Sequence, residues 1–418
     1  MKKKVFAMLL GALLLPWSSI TASAKDISPD SVFVGEWVTS EGEYTYPVTP
    51  ENDAWATMDY AEKRNVCNMP QELVDTLSTV ELVDLALDYP LKLDYLMFDS
   101  YALGIEHLKS SSNVYHELFE REDAAEVLLA AYADLQVDYD ILVSNMVENP
   151  MEASGYDKEL VLQLLLASDE IFDTMADEQV TDLIETIGAK YEEKEGICKD
   201  FTTALTFYSV LSEENETISA DLIPESIYED MAVSTVAQTG FISNGRYVST
   251  SIDTYVYVGN YWKYGTSCEC YKYDSGDYTS VEAAAITGSY LGTHPEWTFK
   301  SGPTKKYNCH SYCWIDKSYD NIYWLNDPTN FANATSYFTS YGSNKKITNN
   351  NSYIVLYSAG VPVHSVRSVG VSSGSDLEKW MKSVKVESKL GTAGVYETTL
   401  YDMIIHYDAG YYNVYTQK

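Results

Sequence analysis

The sequence predicts an α+β protein, and three observations carry that expectation. Apolar residues recur at helical spacing from Asn68 to about Leu222. From Gly240 onward tyrosine, threonine and valine take over and alternate with period two, as half-buried strands do. Within that second half, KYNCHSYCWID from Lys306 to Asp316 reads as a short helix opening behind Asn308, with further strands after it. The expected organisation is a leader over 1–24, a linker region over 25–67, a helical domain over 68–230 and a second domain over 238–418. That last domain begins with a β-rich extension and sets an antiparallel sheet beside one cysteine-bearing helix.

The leader, MKKKVFAMLLGALLLPWSSITASAKD, has three lysines, an apolar run from Val5 to Leu15 and small residues ending in Ala22-Ser23-Ala24. This is the pattern of a secretory signal cleaved near Ala24. The run is too short to span a bilayer, no later stretch reaches about 18 apolar residues, and no cysteine follows the leader to take a lipid. A secreted protein, extracellular or associated with the cell wall and without stable membrane insertion, is the expectation. Losing Lys2, Lys3 and Lys4 takes the formal charge from -34 to -37. Such acidity repels a phosphate backbone, which argues against a nucleic-acid partner, and otherwise serves solubility.

In the helical region, LSTVELVDLALDYP opens with the capping-box spacing Ser78 to Glu81, aligns Leu82, Leu85 and Ala86 on one face, and stops before Pro90. EREDAAEVLLAAYADL repeats the theme, with acids in the first turn and a predicted buried stripe of Val127, Leu128, Ala131 and Leu135. KELVLQLLLASDEIFDTM and TDLIETIGAKYEEKEG continue it. His107 and His116 stand isolated in this region, and nothing in it reads as catalytic.

In the second half, NGRYVSTSIDTYVYVGNYWKYG alternates with period two, and Asn244-Gly245 and Gly259-Asn260 are the expected hairpin turns. SVEAAAITGSYL reads as a helix and HPEWTFKSGPT as a loop. SYIVLYSAG, VPVHSVRSV and KSVKVESKLG read as three strands.

Cys309 is the candidate nucleophile. A thiol attacks as thiolate, and its pKa falls at a helix N-terminus or beside a cationic histidine. With Asn308 as cap, Cys309 occupies the first turn, where unpaired N–H groups can also receive an oxyanion. His310 adjoins it but is expected on another side of the helix. His364, on a predicted neighbouring strand, is the expected base. If Val384 and Val386 face the core, Ser388 turns the same way and Glu387 outward. Geometry favours Ser388 for orienting the imidazole, charge favours Glu387, and both stand as candidates.

YNCHSYCW resembles the nucleophile motif of CHAP domains, in which Gln or Asn precedes the cysteine, Tyr follows three residues later and Trp five later; Asn308, Cys309, Tyr312 and Trp314 fit. WLNDPTNF, SYIVLYSAGVPVHSVRSV and VKVESKLGTAGVY are similar, in order, to later segments of secreted CHAP and NlpC-type cysteine peptidases of the papain-like superfamily. The resemblance covers about the last 130 residues. It implies a papain-like domain, a Cys309–His364 pair and a peptidoglycan or peptide substrate cleaved at an amide bond, with Tyr312 and Trp314 as candidate substrate contacts. Three departures stand out: Val363 where a small residue precedes the histidine, Leu390 where the last core strand carries tryptophan, and no Gly-Asp opening SYIVLY.

Other readings compete. The cysteines at 67, 198, 268, 270, 309 and 313 could form disulfides in an oxidising compartment. Cys309 and Cys313 lie one helical turn apart, with Cβ atoms about 5–6 Å apart, beyond the about 3.8 Å a disulfide wants. Cys313 could pair with Cys268 or Cys270. Cys268, Cys270, Cys309, His310 and Cys313 could supply soft ligands, but without the usual C-x2-C spacing, so neither metal nor cofactor is expected. Tyr255, Tyr257, Tyr261 and Tyr264 could stack on sugars in a non-catalytic glycan-binding protein, although their spacing suits half-buried sheet residues. A transferase using the same acyl-enzyme is the remaining alternative.

Overall fold

Helix starts follow the sequence closely. In the computed structural model, which describes residues 37–39, 42–99, 101–143, 149–194, 255–273, 277–347, 349–371 and 376–418, the box at Ser78 and Glu81 opens the helix Thr79–Asp88, and Leu82, Leu85 and Ala86 are buried. A second box, Asp59 with Glu62, opens Tyr60–Val66, and a third, Thr279 with Glu282, opens Ser280–Thr293. Each satisfies N–H groups that would otherwise be left without partners at the first turn. The leader and its cleavage point, the change of texture near 222–240, Asn244-Gly245 and Cys198 lie outside the described residues.

The expected stripe on Ala124–Asp134 is rotated. The helix buries Ala124, Ala125, Leu128, Leu129 and Tyr132, while Val127, Ala131 and Leu135 are only half-buried. Tyr132 is the physical reason: a large ring placed inward turns the helix toward it. The segment expected as a linker is folded where it is described, with Trp37, Tyr46, Trp55 and Tyr60 all buried.

The C-terminal half forms two antiparallel sheets. A three-stranded sheet of β1 (Tyr255–Lys263), β2 (Thr266–Tyr273) and β4 (Trp324–Leu325) runs in the order β1-β2-β4. The larger sheet takes β3 (Thr298–Ser301), β5 (Phe338–Ser343), β6 (Tyr353–Ser358), β7 (Val361–Gly370), β8 (Lys385–Leu390), β9 (Gly394–Thr399) and β10 (Tyr411–Gln417) in the order β3-β9-β8-β7-β6-β10-β5. The three strands expected from sequence are β6, β7 and β8. The stretch expected as a loop contains β3. Gly259-Asn260 lies inside β1, paired with Cys270 and Glu269 just past a bulge between Tyr257 and Gly259, and is not a turn. The hairpin instead turns at Tyr264-Gly265, both at positive φ (57° and 70°), which matches the twist of a two-residue connection.

The helices and the larger sheet, expected as separate domains, share one hydrophobic core and one compact unit. Their seam is the segment Leu96–Asp99, which begins at the end of the 3-10 turn Lys92–Met97. Leu96 O accepts from Thr392 N at 3.0 Å, and Met97 O accepts from the Tyr407 hydroxyl at 2.7 Å. Gly391, at φ +39°, lies so close that a Cβ there would stand 2.5 Å from Leu96 O. Only glycine lets the two backbones meet. Tyr290 donates to Leu93 O at 2.6 Å and Trp55 Nε1 to Thr293 O at 2.7 Å, so the contact extends well beyond one crossing.

Candidate functional site

Asn308 caps the helix Cys309–Trp314, accepting from Ser311 N at 3.1 Å. Its Nδ2 donates to Asp99 Oδ2 and to Leu325 O, both at 2.9 Å. The cap is therefore locked between the helical region and β4, and its polar atoms are already engaged.

The helix packs on β7 and β8, and strand alternation sorts the partners. On the helix-facing side, Ser365 Oγ meets His310 Nδ1 at 2.7 Å and Trp314 Nε1 at 3.2 Å. Glu387 takes the Tyr312 hydroxyl and the Lys317 ammonium, the latter at 2.7 Å. On the opposite side, His364 Nε2 meets Ser388 Oγ at 2.6 Å, and the ring stacks on Tyr407 with centroids 3.8 Å apart. The two candidate orienting residues thus separate: Ser388 is on the imidazole, and Glu387 is turned toward the Cys309 helix and buried there.

Cys309 opens the helix that packs on β7 and β8. Pairing of β7 with β8 stops at Arg367 opposite Glu387 on this side, and the Ser365 backbone is among the groups that lower the Cys309 pKa. His310 is closer than expected: one of its ring nitrogens, the Cys309 sulfur and an Asp99 oxygen all lie within 4.8 Å of one another.

The thiol is not the low-pKa group expected from its position. Burial pushes it well above its ordinary value, the Asp99 carboxylate adds to the rise, and the Ser365 and His310 N–H groups offset only part. A helix of six residues has too small a dipole to reverse this. Burial likewise holds His364 well below the usual imidazole range, with His310 and His406 adding to the fall. At rest both groups are neutral. Lys389, wholly buried on β8, is pushed by desolvation to about 7 against the raising effect of Asp277, Asp99 and Cys309. Its ammonium donates to Thr304 O at 3.0 Å.

Tyr312 and Trp314, expected as substrate contacts, are 1% and 0% exposed. Tyr312 stacks with Tyr307 and Tyr319, and Trp314 packs on Phe338 and Tyr353. They hold the helix to its surroundings. The described half of the tyrosine stripe is also packed: Tyr261 against Tyr323, Tyr264 against Phe331 and Phe338. Cys67, Cys268, Cys270, Cys309 and Cys313 are free thiols. Cys313 donates weakly to Val366 O and shares an apolar cluster with Cys268 and Cys270. Asp99, Ser365, Lys389 and Tyr407 were not singled out from sequence. Ser365, beside His364 in the expected β7, and Lys389, inside the expected β8, had contexts that could have drawn notice.

Among the described residues, two groups of side chains have the composition of a metal site: Asp99, Cys309 and His310, and separately Asp94, His107 and His406. The second overturns the expectation that His107 stands alone, whereas His116 is exposed as an isolated surface residue. Comparison with family models, with curated proteins and with solved structures found no match. Among the described residues, no helix is long and apolar enough to cross a membrane.

Proposed function

We propose that this chain is a cysteine hydrolase of papain-like architecture that cleaves an amide bond through Cys309 and His364, in a state closed by its own helical region. The contact that carries the reading is Ser388 Oγ on His364 Nε2 at 2.6 Å, with His364 on the strand that also carries Ser365, whose backbone lowers the Cys309 pKa. Ser388 Oγ also lies 3.1 Å from Ser365 O. With its hydrogen given to that carbonyl, Ser388 accepts from Nε2–H, and Nδ1 keeps the lone pair that a base needs. Nδ1 takes the thiol proton as sulfur attacks the carbonyl and returns it to the leaving amine. Water then releases the acyl group from the thioester.

The resemblance of YNCHSYCW and the later segments to CHAP and NlpC enzymes supports peptidoglycan or a peptide as substrate, and the leader supports secretion. Closure follows from burial: Cys309, His310 and His364 are each 1% exposed, and Leu96–Asp99 crosses the site. Purified full chain incubated with peptidoglycan should release peptide fragments detectable by mass spectrometry, and Cys309→Ala should release none. The Gly391→Ala chain, whose added methyl pushes against Leu96–Phe98, should release more than wild type. Indistinguishable products from all three chains would end the hydrolase reading.

A further inference from the structure

We propose that Asp94, His107 and His406 form a buried site for one divalent cation of the zinc class, separate from the thiol. One ligand atom from each lies within 4.8 Å of the others, and the three residues are 1%, 4% and 0% exposed. A tetrahedral zinc with Zn–N of about 2.0–2.1 Å wants donors roughly 3.3 Å apart, so shifts of about an ångström would bring these atoms onto a metal. His406 supplies the independent observation. Both its ring nitrogens are buried without a hydrogen-bond partner, although its Nδ1 stands 3.9 Å from Asp94 Oδ2. An imidazole with neither nitrogen satisfied is costly inside a protein, and a metal bond would answer it.

The surroundings are those of an oriented ligand set. His294 Nε2 holds Asp94 Oδ1 at 3.2 Å, and its ring stacks on Trp297 with centroids 3.8 Å apart. That fixes the carboxylate, with Oδ2 on the metal side, the usual arrangement around a metal-binding side chain. The Tyr60 hydroxyl, 2.8 Å from Asp94 Oδ2 and 3.0 Å from His107 Nε2, is placed as a fourth oxygen donor. Two imidazoles with oxygen donors suit zinc among the common divalent ions. Tyr60, Asp94 and His107 come from the helical region and His406 from the C-terminal half, so the ion would staple the two across their seam.

The test uses the full chain, stripped with chelator and then reconstituted with zinc or cobalt(II) alone. Wild type and Cys309→Ser should each retain one zinc per chain after dialysis. The cobalt forms should show the visible bands of a tetrahedral site without thiolate-to-cobalt charge transfer. His406→Gln should lose the equivalent while keeping its far-ultraviolet circular dichroism; should that variant not fold, the wild-type and Cys309→Ser cobalt spectra still decide. A stripped wild type that takes up no metal overturns the proposal. So does uptake that requires Cys309 or carries the charge-transfer band, since that places the ion with Asp99, Cys309 and His310.

Discussion

A thiol that is neutral because it is buried beside Asp99 behaves differently from one that is neutral by its nature. Removing the carboxylate charge removes one cause of the raised pKa. Asp99→Asn should therefore shift the pH profile of Cys309 alkylation by iodoacetamide toward lower pH. The same profile in both chains would show that burial alone sets the thiol. The choice of base is decided at the same scale. His364→Ala and Ser388→Ala should lower turnover, the former by about 10²–10⁴, the usual yield of general base catalysis, while His310→Ala should keep most of it. A dead His310→Ala with an active His364→Ala would move the base to the helix side of the sheet. From sequence, Cys309, Asn308 and Ser388 were placed by local rules: a cap, a helix start and strand alternation. Asp99 and Lys389 were not, because their roles arise only when segments far apart in the chain are brought to one sulfur.

At the scale of elements, what was legible is what is local. The box at Ser78 satisfies its own helix start, so its three-residue spacing reveals it, whereas the box at Thr279 was not singled out; β6 to β8 announce themselves by runs of apolar and β-branched residues. The hairpin at Tyr264-Gly265 was missed because Gly259 and Asn260 offered the more familiar signal, whereas positive φ at tyrosine is uncommon. The burial of Glu387 was missed because alternation tells which side a residue faces and not whether another helix covers that side. Ser78→Ala should cost about 1 kcal/mol in a denaturant titration, the usual value of an N-cap. An unchanged midpoint would mean that packing of Leu82, Leu85 and Ala86 fixes the helix without its cap.

For the whole molecule, buried His364 and Lys389 are among the groups that set the dependence of stability on pH. As pH falls through about 6.5, the unfolded chain protonates its imidazoles while His364, held well below that range, stays neutral in the fold. The unfolded state binds more protons, so stability should fall on acidification. Lys389 acts in the next window. Its folded pKa of about 7 lies below its ordinary value of 10.5, so as pH rises above 7 the folded chain sheds a proton that the unfolded chain keeps, and stability should increase. The window closes toward pH 9 and 10, where the thiols and phenols of the unfolded chain ionise while buried Cys309 and Tyr407 resist. Urea titrations between pH 7 and 8.5 should show the rise in wild type and a flatter line in Lys389→Met. Parallel lines would place the titration elsewhere.

If the chain is the hydrolase proposed, the crossing of Leu96–Asp99 over the Gly391–Thr392 turn after β8 would make any observed rate a product of two factors: the speed of the chemistry and the fraction of molecules in which the crossing is lifted. Were lifting to cost about 2.8 kcal/mol, roughly one molecule in a hundred would be competent at a given moment. A substitution along this seam that removes one backbone hydrogen bond would enlarge that fraction several-fold without touching the sulfur. Variants of Leu96 to Asp99 and of Leu390 to Thr392 should then fall on a single inverse line, each one that unfolds more readily also turning over faster.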